Sequence, residues 1–558
     1  MTRMRTRTLA ILLALIAAAA ALRFAGAGYG LPAVFNADEP HHVDVAVSFG
    51  RGSLNPGVFK FPTLWMYTLF LEYGAYFVLW SRFGLARSVE DFGSLFVWHP
   101  GSFYLLGRLL SAALSLAGLA LCCRSAAKLF GGRSALWAAA LLSAAPALVV
   151  SAHAAKPDSM MFCLSAAAWL SAVGFFEGGA AWSLALSGLL GGLAASTQYT
   201  AGPLLVLIPA CAWARALAEG RPAGDFLKPA VLASMVFVAA FAAGSPFIVL
   251  DWRAFVRDMI DQRGLITSGA PAGALVLKNA WTFAGHWAVG GVLLLCGAAR
   301  LLRSQRPQAA LLLIPPAFFL SLLALSPEGG WQRYQLAVFP AYAATAALGA
   351  EWLLGALPLS GRSLEACEAA AALLLLLPGG FQSLRYDRQL LLPDTRTLAE
   401  AWLESRLPEG TAVLTDQEHA SPRIRMSRAQ AERLLERTRA QGHPRGKYYE
   451  LMLRSHPGGG FEVYRILRSG ADLRSGAWHA AWSAAGKATI DVREGLAAAR
   501  RAGVQVVVLT SAGVDAGKSP EFKAFLEQTR SAGRLLAEFS PEQGVRAGPK
   551  IEVYRISP

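Results

Sequence analysis

The chain alternates long apolar runs with short charged breaks. Runs of about 17–25 residues, the length that crosses a hydrocarbon core, fall near 8–27, 102–123, 134–152, 159–176, 181–199, 201–218, 229–249, 281–299, 308–325, 336–357 and 366–380. They predict eleven membrane helices. Basic side chains mark alternate breaks: Arg3, Arg5 and Arg7, then Arg124, Lys128 and Arg133, then Arg215, Arg221 and Lys228, then Arg300, Arg303 and Arg306, then Arg362. Acidic ones mark the others, at Asp38-Glu39, Asp158, Asp251 to Asp261 and Glu328. Short loops rich in Lys and Arg stay cytoplasmic. The N-terminus is therefore expected inside and the C-terminal segment outside. The first run follows three arginines as a signal peptide would, but no clear small-residue cleavage site follows, so it is read as a helix.

One further apolar stretch, 61–80, would invert every later loop if it crossed. Its many aromatics and its central Glu72 place it as a helix lying in the outer interface, where aromatic rings concentrate. Beyond 380 the pattern changes. AVLTD (412–416) and QVVVLT (505–510) read as buried strands, and FEVYRI (461–466) and IEVYRI (551–556) as strands of one sheet. Residues 397–406, 427–440 and 519–533 read as helices. The expected fold is a polytopic α-helical membrane protein with about eleven transmembrane helices and a C-terminal extracytoplasmic α/β domain. The bundle would span 1–380, with outer segments 28–101 and 250–280, and the soluble domain 381–558.

Composition agrees. Of 558 residues, 54% are hydrophobic and 16% charged, with mean hydropathy +0.39, whereas soluble domains carry about 25% charged residues. The first 380 residues hold 25 Lys+Arg and 17 Asp+Glu, and the last 178 hold 27 and 20. The net charge of +15 comes without a basic run interleaved with aromatics, so nucleic acid is not an expected partner. The six cysteines lie in or beside apolar stretches, with neither metal-ligand spacing nor a disulfide framework.

Candidate chemistry gathers on the loops expected outside. Asp38-Glu39 lies just beyond the first run. Two adjacent carboxylates suit a general base with an orienting or metal-binding partner, or a solvated loop start before Pro40. His42 with Asp38 and Asp44 could form a metal site, but His41 and His42, as neighbours, do not share a helix face. Lys60 either holds a lipid phosphate as a point charge or snorkels to head groups. Arg108 sits one turn inside an apolar run, where a guanidinium calls for an anionic partner. Asp158 in HAAKPD is a second outer carboxylate, or the N-cap of a helix starting at Ser159. Gln198-Tyr199 forms the next outer turn. The amphipathic stretch 251–263, with Asp251, Arg257 and Arg263, is a flap over a site or an interfacial helix. Arg333-Tyr334 ends another helix on the outer side, against the charge bias. No P-loop, GxSxG, HExxH or dinucleotide fingerprint competes.

Several stretches taken in order resemble a known family. They are DEPHHVDVAVSFGRGSLNPGVFKFPTLWMYTL (38–69), HPGSFYLLGRLLSA (99–112), SAHAAKPDSMMFCLSA (151–166), GLAASTQYTAG (192–202), GSPFIVLDWRAF (244–255), RYQLAVFPAYAA (333–344) and DTRTLAEAWLESRLPEGT (394–411). Together they resemble the GT-C superfamily of polyprenyl-phosphate-sugar-dependent glycosyltransferases, nearest the bacterial branch similar to protein O-mannosyltransferases and the lipid A aminoarabinose transferase. The resemblance implies an integral enzyme of the cytoplasmic (inner) membrane. It would move a hexosyl or pentosyl group from a polyprenyl-phosphate donor to a hydroxyl of a lipid, glycan or protein acceptor, with inversion, on the outer face. It implies a catalytic aspartate at Asp38, followed by Glu39. Phosphate-binding groups fall on Lys60, Arg108, Arg333 and Tyr334. Asp158 would be a second acidic site, able to hold an optional divalent cation (Mg or Mn). The chain departs from its relatives at Gln198, where they usually carry lysine. A carrier of lipid-linked sugars and an inactive membrane anchor for the outer domain remain the other two classes.

Overall fold

The computed structural model describes residues 6–85, 87–267, 270–285, 288–358, 360–416, 418–467, 486–511 and 520–557. Up to the middle of the chain the helices are α1 (Thr6–Phe24), α2 (Pro40–Ser48), α3 (Leu64–Arg82), α4 (Val89–Trp98), α5 (Gly101–Phe130), α6 (Gly132–Leu142), α7 (Pro146–Ala152), α8 (Asp158–Gly178), α9 (Ala181–Thr197), α10 (Leu207–Glu219), α11 (Leu227–Gly244) and α12 (Phe247–Leu250). Then come α13 (Trp252–Thr267), α14 (Gly273–Trp281), α15 (Val289–Ser304), α16 (Arg306–Leu325), α17 (Phe339–Gly355), α18 (Gly361–Leu391), α19 (Thr395–Arg406), α20 (Arg428–Ala440), α21 (Gly446–Arg454), α22 (Gly495–Arg501) and α23 (Pro520–Ala532). The chain divides into two compact units. The first holds 1–27, 41–71 and 106–387, and the second holds 28–40, 72–105 and 388–558.

Among the described residues, seven helices are long and apolar enough to cross a membrane, and α6 with α7, bent by 66°, is an eighth apolar element, a broken span or a re-entrant loop. With the shorter apolar helices Leu9–Phe24 and Ala181–Thr197, these coincide with ten of the eleven expected runs. The exception is 281–299. Helix α15 begins only at Val289, after a turn through Gly285. There φ is +143°, and an added Cβ would meet Gly379 N at 2.8 Å. Close approach to α18 therefore breaks the helix. Helix α3 is not among the spanning helices.

Small residues let helices of the first unit pack closely, as apolar surroundings favour. An added Cβ at Gly188 or Gly192 of α9 would run into the backbone of α11, and one at Gly297 of α15 into Thr345 of α17. The bend between α6 and α7 frees carbonyls, because Pro146 has no N–H to offer. Arg23, fully buried, fills that gap. It donates to Ser143 O at 2.7 Å, Leu142 O at 3.2 Å, Ala19 O at 3.0 Å and Ser115 Oγ at 2.9 Å. A buried guanidinium is tolerable because its donors are satisfied this way.

The second unit is built on a sheet of β1 (Ala412–Thr415), β2 (Glu462–Leu467), β3 (Thr489–Asp491), β4 (Val506–Thr510), β5 (Gly533–Phe539) and β6 (Ile551–Ile556). Their order is β3-β2-β1-β4-β6-β5. The first four run parallel, with Val413 facing both Val463 and Val506, while β6 is antiparallel to β4 and β5 to β6. Both faces of the central strands are covered, which explains the apolar runs of β1 and β4. Leu414, Val507 and Leu509 pack with Leu496, Phe522 and Phe525. Val413, Val506 and Val508 pack with Ala399 and Leu403 of α19. Helix α4 belongs to this unit. Ser94 Oγ donates to Leu451 O at 2.8 Å, and Trp98 Nε1 to Met452 O at 3.1 Å.

Candidate functional site

The two units carry different candidate residues. In the first, Lys60 ends a non-helical stretch that leads into α3. Lys60 itself is exposed, with Nζ 5.7 Å from the Phe61 ring centre. The residue before it is fastened on both sides. Phe59 N donates to Asp258 Oδ2 at 2.8 Å, and Phe59 O accepts from Tyr199 Oη at 3.1 Å. Asn55 Nδ2 donates to Asp251 Oδ2 at 2.8 Å, and Thr63 N to Ser245 Oγ at 3.0 Å. Trp65 Nε1 reaches Ala155 O at 3.1 Å. Backbone groups buried away from water must be paired, and here Asp258 of α13 and Tyr199, just after α9, serve Phe59, while Ser245, just after α11, serves Thr63 N. Asp258 is 4% exposed, and its Oδ1 accepts from Arg257 Nε at 3.2 Å. Of the amphipathic stretch, Asp251 and Asp258 thus face the Lys60 segment, while Arg257 is exposed. The side chain of Arg263 lies outside the described residues.

Arg108 is fully buried and donates from Nη1 to Ala27 O at 2.9 Å. His153 Nε2 lies 2.6 Å from Ala25 O. Both reach carbonyls of the turn that follows α1. Asp158 opens α8 but makes no capping bond there, since the N-cap is Pro157. The N-cap alternative is therefore not what the carboxylate does. It is 2% exposed, Oδ2 lies 3.8 Å from Lys156 Nζ, and Oδ1 has no hydrogen-bond partner. Gln198 is 7% exposed, and its Oε1 likewise lacks a partner. Two buried acceptors without donors are costly in a closed protein, and they suit a site that receives hydroxyls or cations from a ligand. Arg333 lies over the rings of Trp331 and Tyr334, at 5.0 and 5.4 Å from their centres.

In the second unit, Asp38 sits in the turn that leads into α2. Its N–H donates to Asn36 Oδ1 at 3.0 Å, an Asx turn that fixes the local backbone. Glu39 is fully buried, which does not suit a solvated loop start. Phe35, three residues before Asp38, is buried. The guanidinium of Arg396 lies 3.5 Å from its ring centre. Asp394 holds that guanidinium as a fork, with Nε at 2.8 Å and Nη2 at 2.7 Å, and His419 O accepts from Nη1 at 2.6 Å.

Residues 102–250 match the family model of the dolichyl-phosphate-mannose-protein mannosyltransferases. That stretch contains Arg108, Asp158 and Gln198-Tyr199. No curated protein matches the chain. The crystal structure of ArnT from Cupriavidus metallidurans bound to undecaprenyl phosphate is similar with a TM-score of 0.51 at 12% identity, over 98% of this chain and 99% of that one. Its apo form gives 0.51 and 12%, over 99% and 100%. This chain has the GT-C fold. The fold and the family match together support a membrane glycosyltransferase that works with a lipid-linked donor.

Two residues escaped sequence reasoning as individuals: Asp258 and Arg396. A buried carboxylate on an otherwise exposed helix, and an Asp-x-Arg at a helix start, were the available signals. For a resident metal the donors fit poorly. Among the described residues no group of three or more His, Cys, Asp or Glu side chains comes together, and Asp158 has a lysine as its charged neighbour.

Proposed function

We propose that the protein transfers a sugar from a polyprenyl-phosphate donor to an acceptor hydroxyl on the outer face of the cytoplasmic membrane. Asp38 takes the hydroxyl proton as the oxygen attacks the anomeric carbon. The bond to the phosphate oxygen breaks on the opposite side, so configuration inverts and polyprenyl phosphate leaves. Glu39 orients Asp38. Lys60, Arg108 and Arg333, with Tyr334, offset the phosphate charge. Asp158 and Gln198 accept from sugar hydroxyls. Helix α13 shields the donor from water. The N-terminus lies in the cytoplasm and the C-terminal domain, 381–558, outside.

The observation that carries this reading is the family match over 102–250, because it bears on activity as well as shape. The test is sugar transfer by purified protein from a panel of radiolabelled polyprenyl-phosphate sugars, wild type beside Asp38→Asn, with and without chelator. Turnover of one donor, lost in a folded Asp38→Asn variant and kept with chelator, is the expected result. No donor bound by the wild type would overturn it, as would full activity in Asp38→Asn.

A further inference from the structure

The second unit brings together Phe35, from the segment carrying Asp38, and Arg396, from the start of α19. The sequence separates them by more than three hundred residues. Arg396 is held on three sides. Asp394 takes Nε and Nη2, His419 O takes Nη1, and the guanidinium lies over the Phe35 ring at 3.5 Å. Asp394 is itself fixed, since it also caps α19 through Arg396 N at 2.8 Å. Gly30 also packs close to this ring. Gly30 has a φ of +67°, and an added Cβ would meet Phe35 Cδ2 at 2.5 Å. From Phe35 the chain runs through the Asx turn of Asn36 to Asp38.

We infer that Arg396 is a positioning residue for Asp38. The start of α19 grips Phe35, and Phe35 sets where the turn at 36–39 stands. The soluble unit is then part of the machinery that aims the base, instead of a passenger on a membrane anchor. This rests on the transfer reading above for its catalytic half. The grip on Phe35 stands on geometry alone. A planar guanidinium both forks onto a carboxylate and stacks on a ring, which a lysine ammonium cannot do. Small displacements of a reacting group cost rate while leaving binding contacts elsewhere intact.

The test uses the full-length protein in detergent. Arg396→Ala, Arg396→Lys, Phe35→Leu and the Arg396→Ala/Phe35→Leu double variant are compared with wild type. Backbone hydrogen exchange over 30–40 is expected to speed up in both alanine and lysine variants. In transfer assays kcat should fall about tenfold or more, as misplacement of a catalytic group does, with donor KM within about twofold and thermal stability nearly unchanged. The double variant should lose no more than the worse single, since the two side chains act as one unit. Full rescue by Arg396→Lys would overturn the proposal, because charge alone would then suffice. Additive losses would overturn it too, as would a rise in KM at constant kcat. If wild type transfers no sugar, the transfer reading fails separately. Faster exchange over 30–40 in Arg396→Ala would then still support the grip, and unchanged exchange would overturn it.

Discussion

The segment bearing Lys60 and the segment bearing Asp38 are fastened by different means. Phe59 is held by its backbone, N–H to Asp258 and C=O to Tyr199. Phe35 is held by its ring, beneath a guanidinium. In the first unit, Tyr199, just after α9, and Asp258 of α13 each offer a single polar atom to the backbone of the buried Phe59. Such a bond fixes direction as well as distance, and leaving its donor unmet incurs the full desolvation penalty. In the second unit a charged fork and an aromatic face do the work, at a place water reaches more readily. A stacked ring limits sliding more weakly than a hydrogen bond limits rotation. The two loops should therefore break differently.

The largest effect is expected at Asp258. Asp258→Ala leaves a buried N–H unmet and should cost about 1–3 kcal/mol of stability. Thermal unfolding of the detergent-solubilised protein reads this directly. Donor KM should rise as Lys60 loses its place, while Asp258→Asn, whose amide oxygen still accepts, stays near wild type. Equal damage from the two variants would show that the carboxylate charge matters more than the bond to Phe59.

Tyr199→Phe comes next. It keeps the ring, which packs edge-on to Phe241 at 6.4 Å, and removes only the hydroxyl that serves Phe59 O. A loss of about 1 kcal/mol is expected, again with a higher donor KM and an unchanged kcat. Asn36→Ala should do less. It removes the acceptor for Asp38 N–H, but this turn is half-buried and water can take over part of the role. Faster exchange of the Asp38 amide, with stability reduced by less than about 1 kcal/mol, is the expected outcome. A larger loss than that of Tyr199→Phe would reverse the ranking of the two loops.

The sequence and the structure part company where long-range contacts decide. Apolar runs are legible because the membrane sets their length. The sheet is legible at β1 and β4 because strands buried on both faces are apolar throughout, and at β2 and β6 because FEVYRI and IEVYRI echo each other. The run at 281–299 misleads because Gly285 is shaped by Gly379 of α18, which no local window contains. The same limit applies to the site. Lys60, Arg108 and Asp158 stand out as charges in apolar settings. Asp258 does not, because its neighbours Arg257 and Asp261 are charged and only contact with Phe59 sets it apart. Arg396 hides inside a polar helix start until Phe35 is placed against it. The assignment of 28–40 and 72–105 to the second unit is equally invisible, because it depends on partners such as Leu451 and Met452 for α4.

The smallest effect separates the loops by pH. Helix α19, which begins with the grip on Phe35, also carries Glu400. Burial pushes its carboxyl up from 4.5 to about 7, with Arg423 opposing the shift. A folded pKa above the unfolded one means that the folded state holds more protons between those values. The stability linked to this group is therefore fully present below the unfolded pKa, near 4.5, and falls as pH rises toward about 7. Above that it changes no further on this account. Exchange over 30–40, corrected for the intrinsic rise with pH, should quicken from pH 5 to pH 8, while exchange over 53–63 stays level. Glu400→Gln, neutral at every pH, should flatten the first trend. Equal trends in the two segments, or a slope that survives Glu400→Gln, would show that α19 does not transmit its protonation to the loop it grips.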